Sequence, residues 1–107
     1  MNKTEIAKNL LKRVFIKMLI GTSRCEYYKI DGQKDGLYKL WYGNKQLFVH
    51  CYFKNGKRDG ERKTWWENGQ LEEHCHYKNG KLDGEYKEWN ESGELVRHCF
   101  FKNGVSK

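Results

Sequence analysis

Proline is absent from this 107-residue chain. Every extended segment can therefore donate its backbone N–H groups, and none is barred from pairing on both sides. Long hydrophobic runs are missing too, since no stretch approaches the roughly 20 apolar residues of a membrane-spanning helix. Apolar residues are few, 37% against 33% charged, which excludes a thick globular core. A secretory leader is not legible: Lys17 interrupts the apolar stretch Val14 to Ile20, and Gly21-Thr-Ser-Arg-Cys25 lacks a small-residue cleavage pattern. The expected location is the cytosol, with the four cysteines as free thiols rather than a disulfide framework.

What is present is 15% aromatic residues and 11 glycines. That combination suits thin β-structure, in which a few large rings bury most of the surface and glycines form the turns. The net charge of +7 is unevenly spread. Residues 1–29 hold seven Lys or Arg against two Glu, while the rest holds fourteen against twelve acids. The basic character thus belongs to the leading segment.

Internal self-similarity organises the remainder. Residues 51–74 read CYFKNGKRDGERKTWWENGQLEEH, and residues 75–98 repeat them as CHYKNGKLDGEYKEWNESGELVRH at an offset of 24. A weaker copy at 27–50 keeps Gly32, Asp35-Gly36, Lys39, Trp41, Gln46, Leu47 and His50, and a partial copy occupies 99–104. Asn55-Gly56, Asn79-Gly80 and Asn103-Gly104 are hairpin turn signals, and Asn68-Gly69 and Ser92-Gly93 form a second set. Strands are expected at about 37–42, 46–54, 61–66, 70–78, 85–90 and 94–102. Alternation places Leu71, Cys75 and Tyr77 on one side, the expected buried one, and His74, His76 and Lys78 on the other. Trp41, Trp65 and Trp89 recur once per copy and are expected to stack along the same ribbon.

The unit Asn79-Gly-Lys-Leu-Asp-Gly-Glu-Tyr-Lys-Glu-Trp89 followed by Ser92-Gly-Glu-Leu95 resembles the variant form of the MORN (membrane occupation and recognition nexus) repeat. The resemblance covers about residues 28–104 and loosens in the first copy, where Lys45 replaces Gly69. It implies tandem hairpins laid side by side as one elongated, twisted sheet with a shallow groove. It also implies protein binding, or lipid-headgroup binding in some members, and no catalytic residues. Such repeats occur in bacterial proteins labelled antitoxins and in large viruses of amoebae, which would make the interior of a virion the alternative location.

Ahead of the repeats, residues 2–20 read as a helix. Ile6, Ala7, Leu10, Leu11, Val14, Phe15, Met18 and Leu19 recur at helical spacing, with Gly21 as the stop. The expected fold is therefore a mainly β, single-layer antiparallel hairpin repeat over 22–107, capped by an amphipathic N-terminal α-helix over 1–21. Lys8, Lys12, Arg13 and Lys17 on that helix are candidate contacts to an anionic surface.

The pairs His50-Cys51, His74-Cys75 and His98-Cys99 suggest zinc or a cysteine–histidine catalytic pair. Neighbours in a strand face opposite sides, however, and equivalent cysteines lie about two strand spacings, roughly 10 Å, apart. Neither a metal, a cofactor, a catalytic site nor a small-molecule substrate is expected. The expected function is a non-catalytic module for protein–protein interaction or self-association. Its candidate partner-binding residues are Trp41, Tyr42, Trp65, Trp66, Trp89, Phe100 and Phe101. The alternative is binding of lipid headgroups or nucleic acid through the basic N-terminal helix.

Overall fold

The computed structural model describes residues 13–107 as one antiparallel sheet. Its strands are β1 (Arg13–Ile20), β2 (Ser23–Ile30), β3 (Gln33–Trp41), β4 (Leu47–Lys54), β5 (Lys57–Arg58), β6 (Gly60–Trp65), β7 (Leu71–Lys78), β8 (Lys81–Leu82), β9 (Gly84–Trp89), β10 (Leu95–Lys102) and β11 (Val105–Ser106). The order across the sheet is β1-β2-β3-β4-β6-β7-β9-β10-β11, with β5 beside β4 and β8 beside β7. The molecule measures 51 × 37 × 16 Å, and the shortest dimension fits a single curled layer.

The turns follow from the Asn-Gly pairs. Asn55 and Gly56 adopt φ of 51° and 79°, and Asn79-Gly80 and Asn103-Gly104 repeat this closely. Two consecutive positive φ values define the tight hairpin loop whose twist matches its flanking strands. At the other end of each hairpin, Gly69 and Gly93 sit at φ 87°, and Lys45 occupies the same place at φ 72°. A lysine there carries a Cβ into the left-handed region, which costs on the order of 1 kcal/mol.

The expected N-terminal helix is overturned. Arg13–Ile20 is strand β1, paired along its whole length with β2 from Arg13↔Ile30 to Ile20↔Ser23. No helix occurs among the described residues. Residues 1–12, with Lys8 and Lys12, lie outside them. The physical reason is visible in Ile16 and Ile20, which a helical stripe leaves out. In a strand, Val14, Ile16, Met18 and Ile20 share one side, and three of these are β-branched. Gly21, at φ 63°, is the first residue of a two-residue hairpin loop rather than a helix stop.

One face of the sheet is buried. Cys25, Tyr27, Val49, Cys51, Thr64, Cys75 and Tyr86 are its most enclosed residues, with Cys75 at 0% exposure. Paired residues share a face, and the pairs Cys25↔Leu40, Tyr38↔Cys51, Val49↔Thr64, Arg62↔Cys75 and Cys99↔Tyr86 trace this side across the sheet. Register shifts at Leu40/Trp41, Thr64/Trp65 and Leu95/Arg97 correct the simple alternation. Each bulge sets the leucine opposite the tryptophan, as in Trp65↔Leu71, and so moves the leucine away from the cysteine column.

The filling of the buried face changes along the sheet. Around the first repeat it is aromatic and aliphatic: Tyr27, Tyr38 and Phe53 pack at centroid separations of 5.6 Å beside Val49 and Leu40. Around the later repeats it is ionic. Arg62 pairs with Glu73, and the Tyr86 hydroxyl is shared between Glu73 (2.8 Å) and Glu88. Arg97 closes the chain, 3.8 Å from Glu88 and 5.0 Å above the Tyr86 ring.

Candidate functional site

The opposite face carries the histidines. A single register row runs Lys17↔Glu26↔Lys39↔His50↔Lys63↔His74↔Lys87↔His98 across eight strands. His74 donates from Nε2 to Glu61 at 2.9 Å, and His98 repeats this with Glu85. Those hydrogen bonds hold the Glu61 and Glu85 carboxyls below the usual carboxylate range. His50 has Leu37 where its successors have a glutamate. Burial, with Lys39 beside it, lowers its pKa from the ordinary histidine value.

Histidine and cysteine of each pair thus point to opposite sides, His74 into the Lys/His row and Cys75 into the closed face. Burial, followed by the Glu73 charge, pushes the Cys75 thiol up to about 12. Such a thiol is a packing group rather than a nucleophile. Among the described residues, no three or more of His, Cys, Asp and Glu gather closely enough to hold a metal ion.

The seven aromatic candidates divide by place. Trp41 lies under the Arg24 guanidinium, 4.1 Å from its ring, and Arg24 precedes buried Cys25, so Trp41 belongs to the histidine face. Trp65 and Trp89 follow Thr64 and Glu88 of the buried face and stand with Trp41. The tryptophan row is therefore on the side opposite the cysteines, on strands two positions apart in the sheet. Tyr42 and Trp66 hold the repeats together: Tyr42 Oη donates to the Trp65 carbonyl at 2.8 Å, and Trp66 Nε1 to the Trp89 carbonyl at 3.1 Å. Asn44 and Asn68 make the matching bonds to the Glu67 and Glu91 carbonyls at 3.1 and 2.8 Å. The sequence reading gives Asn68 a role in its turn with Gly69 but no bond between repeats, and gives Asn44 no role. Their signal is the 24-residue periodicity of the turn, which equivalent bonds between neighbouring copies require.

Phe101 packs edge-on against Tyr86 on the buried side, at 5.5 Å. Phe100 is half exposed on β10. Of the basic candidates, Arg13 lies 4.7 Å over the Tyr28 ring, and Lys17 sits opposite Glu26. Neither lies on a helical face.

Among the described residues, the exposed large apolar side chains gather at the two ends of the sheet. They are Val14, Phe15, Met18, Leu19 and Ile20 on β1, with Leu95, Val96 and Phe100 on β10 and Val105 on β11; Tyr52 alone lies between. Strands β4 and β7 are paired on both sides, through Val49↔Thr64 and His50↔Lys63 and through Glu73↔Glu88 and His74↔Lys87. The equivalent residues of β10, Arg97 and His98, pair only inward with β9 among the described residues, and β11 covers just Phe101 and Lys102. The Phe100 carbonyl accepts from Lys107 N at 2.8 Å on the outer side. Two residues back, the His98 N–H and C=O therefore face outward as well.

Hairpins of constant length joined by equivalent bonds define a tandem-repeat protein. The MORN repeat variant model matches residues 34–55, 58–79 and 82–103, well over half of the chain. The chain belongs to this family, whose repeats are in general non-catalytic modules for binding. The matched units begin at the strand entering each β3-type hairpin, out of phase with copies counted from Tyr27 but with the same 24-residue step. No curated protein matches the chain.

Proposed function

We propose that this protein is an assembly module that takes up another polypeptide by strand addition at the β10 end of its sheet. One observation supports the reading: among the described residues only the short β11 lies outside β10, at Phe101 and Lys102, where β4 and β7 also carry β6 and β9, and Leu95, Val96 and Phe100 of β10 stand half exposed. An edge with outward-facing N–H and C=O groups and apolar side chains is a template for a further strand. The tryptophan and lysine–histidine face supports this reading less, because Glu61 and Glu85 already engage His74, His98, Lys63 and Lys87.

The test uses a peptide of residues 59–66, the segment that covers β4 within the sheet, and follows amide hydrogen exchange of the intact protein. Slowed exchange at His98 with no change at His74 is the expected result. Unchanged exchange at His98 at saturating peptide would overturn the reading.

A further inference from the structure

Resting on the strand-addition reading, we infer that the added strand is β1 of a second copy, so that molecules join end to end into an open-ended sheet. The internal junctions give the register. At both, a histidine of the covered strand faces a lysine of the arriving one, His50↔Lys63 and His74↔Lys87. β1 brings Lys17 in the same Lys/His row. Setting Lys17 of the second copy opposite His98 continues that row without a break.

The direction of the chain is also right. Strands alternate along the path β1-β2-β3-β4-β6-β7-β9-β10, so a strand running like β1 is antiparallel to β10. The same register sets Met18 opposite Arg97, in the place of Thr64 opposite Val49. It brings Leu19 and Ile20, 72% and 62% exposed, alongside Val96 and Leu95, 59% and 51% exposed. Phe100 takes the place of Tyr52 and His76, which flank Gly60 and Gly84 of the arriving strand, and so meets Val14 and Phe15. The exposed apolar side chains of both end strands are thereby covered in one contact. Because the two surfaces differ, the contact is heterologous and does not close on itself as a twofold dimer does.

The experiment is disulfide trapping in the full chain with Cys25, the partner of Met18 across β1 and β2, replaced by alanine, and with that Cys25→Ala protein as background. Met18→Cys and Arg97→Cys chains, each oxidised alone, are expected to stay uncrosslinked. Mixed in equal amounts they are expected to give covalent dimers and nothing larger. The double variant is expected to give a ladder of multimers on a non-reducing gel. Leu19→Glu in the double variant, with the circular dichroism of the sheet retained, is expected to remove at least ten-fold of the ladder. A folded mixture that does not crosslink overturns the inference, as does Arg97→Cys dimerising by itself, which would mean β10 pairing with β10. If the 59–66 peptide protects His98 while the mixture fails to crosslink, the edge reading stands and only the identity of the partner fails.

Discussion

The first repeat and the later two share a backbone but not a filling. Equivalent positions on the buried face read Tyr38, Arg62 and Tyr86; Val49, Glu73 and Arg97; and Leu40, Thr64 and Glu88, while the cysteine column is unchanged at Cys51, Cys75 and Cys99. Around the first repeat these positions make an aromatic and aliphatic cluster. Around the later ones they make the chain Arg62–Glu73–Tyr86–Glu88–Arg97. The ladder and the small cysteine thus set the fold, and the space over them takes either apolar groups or polar groups paired with one another, although Arg62 Nε is left without a partner. The two fillings fail differently: loss of an apolar side chain leaves a cavity, whereas loss of one ion leaves its partner stranded.

Removing one ion is therefore the strongest way to separate the halves. Arg62→Ala strands Glu73 beside Glu88, and a loss of about 3 kcal/mol in urea unfolding is expected. The apolar counterpart, Val49→Ala, should cost about 2 kcal/mol and, unlike Arg62→Ala, should show no dependence on salt between low and high ionic strength. The turns sharpen the contrast in the other direction. Lys45 holds a left-handed conformation that Gly69 and Gly93 hold without strain. Lys45→Gly should raise stability by about 1 kcal/mol, read as a higher denaturation midpoint with an unchanged slope.

The smallest effect is on pH. His50 has its pKa lowered by burial and by Lys39, so the unfolded chain takes up its proton first. Its contribution is full above the ordinary histidine range and is lost as the pH falls through the folded value. His50→Gln should flatten the stability profile just below the ordinary histidine range. Glu61 and Glu85, whose carboxyls are held low chiefly by His74 and His98, also stabilise above the normal carboxylate range. Their share is lost at more acid pH, as they protonate, and it should persist in the His50 variant.

Much of this was legible in the sequence. Asn-Gly pairs locate the hairpins, and the 24-residue period locates the strands to within a few residues, because turn chemistry and alternation are local. β1 was not legible as a strand, because RVFIKMLI satisfies a helical stripe nearly as well as an alternating one. Only Ile16 and Ile20, off the stripe, spoke against the helix. The bulges at Trp41, Trp65 and Leu95 were hidden as well, since one extra residue per strand changes the side of the leucine without changing its spacing. The inter-repeat bonds of Tyr42 and Trp66 explain part of the aromatic periodicity that had suggested a binding row. Strand β10 carries the half-exposed Phe100. Its match to β1 emerges only from the register, because it depends on which rows Lys17 and His98 occupy.

Light scattering of the intact chain over a wide concentration range tests the end-to-end account most directly. The account predicts a mean mass that keeps rising with concentration and falls back when Leu19 is replaced by Glu. A mass fixed at the 12.9 kDa of one chain throughout, or a plateau at twice that value, would contradict it.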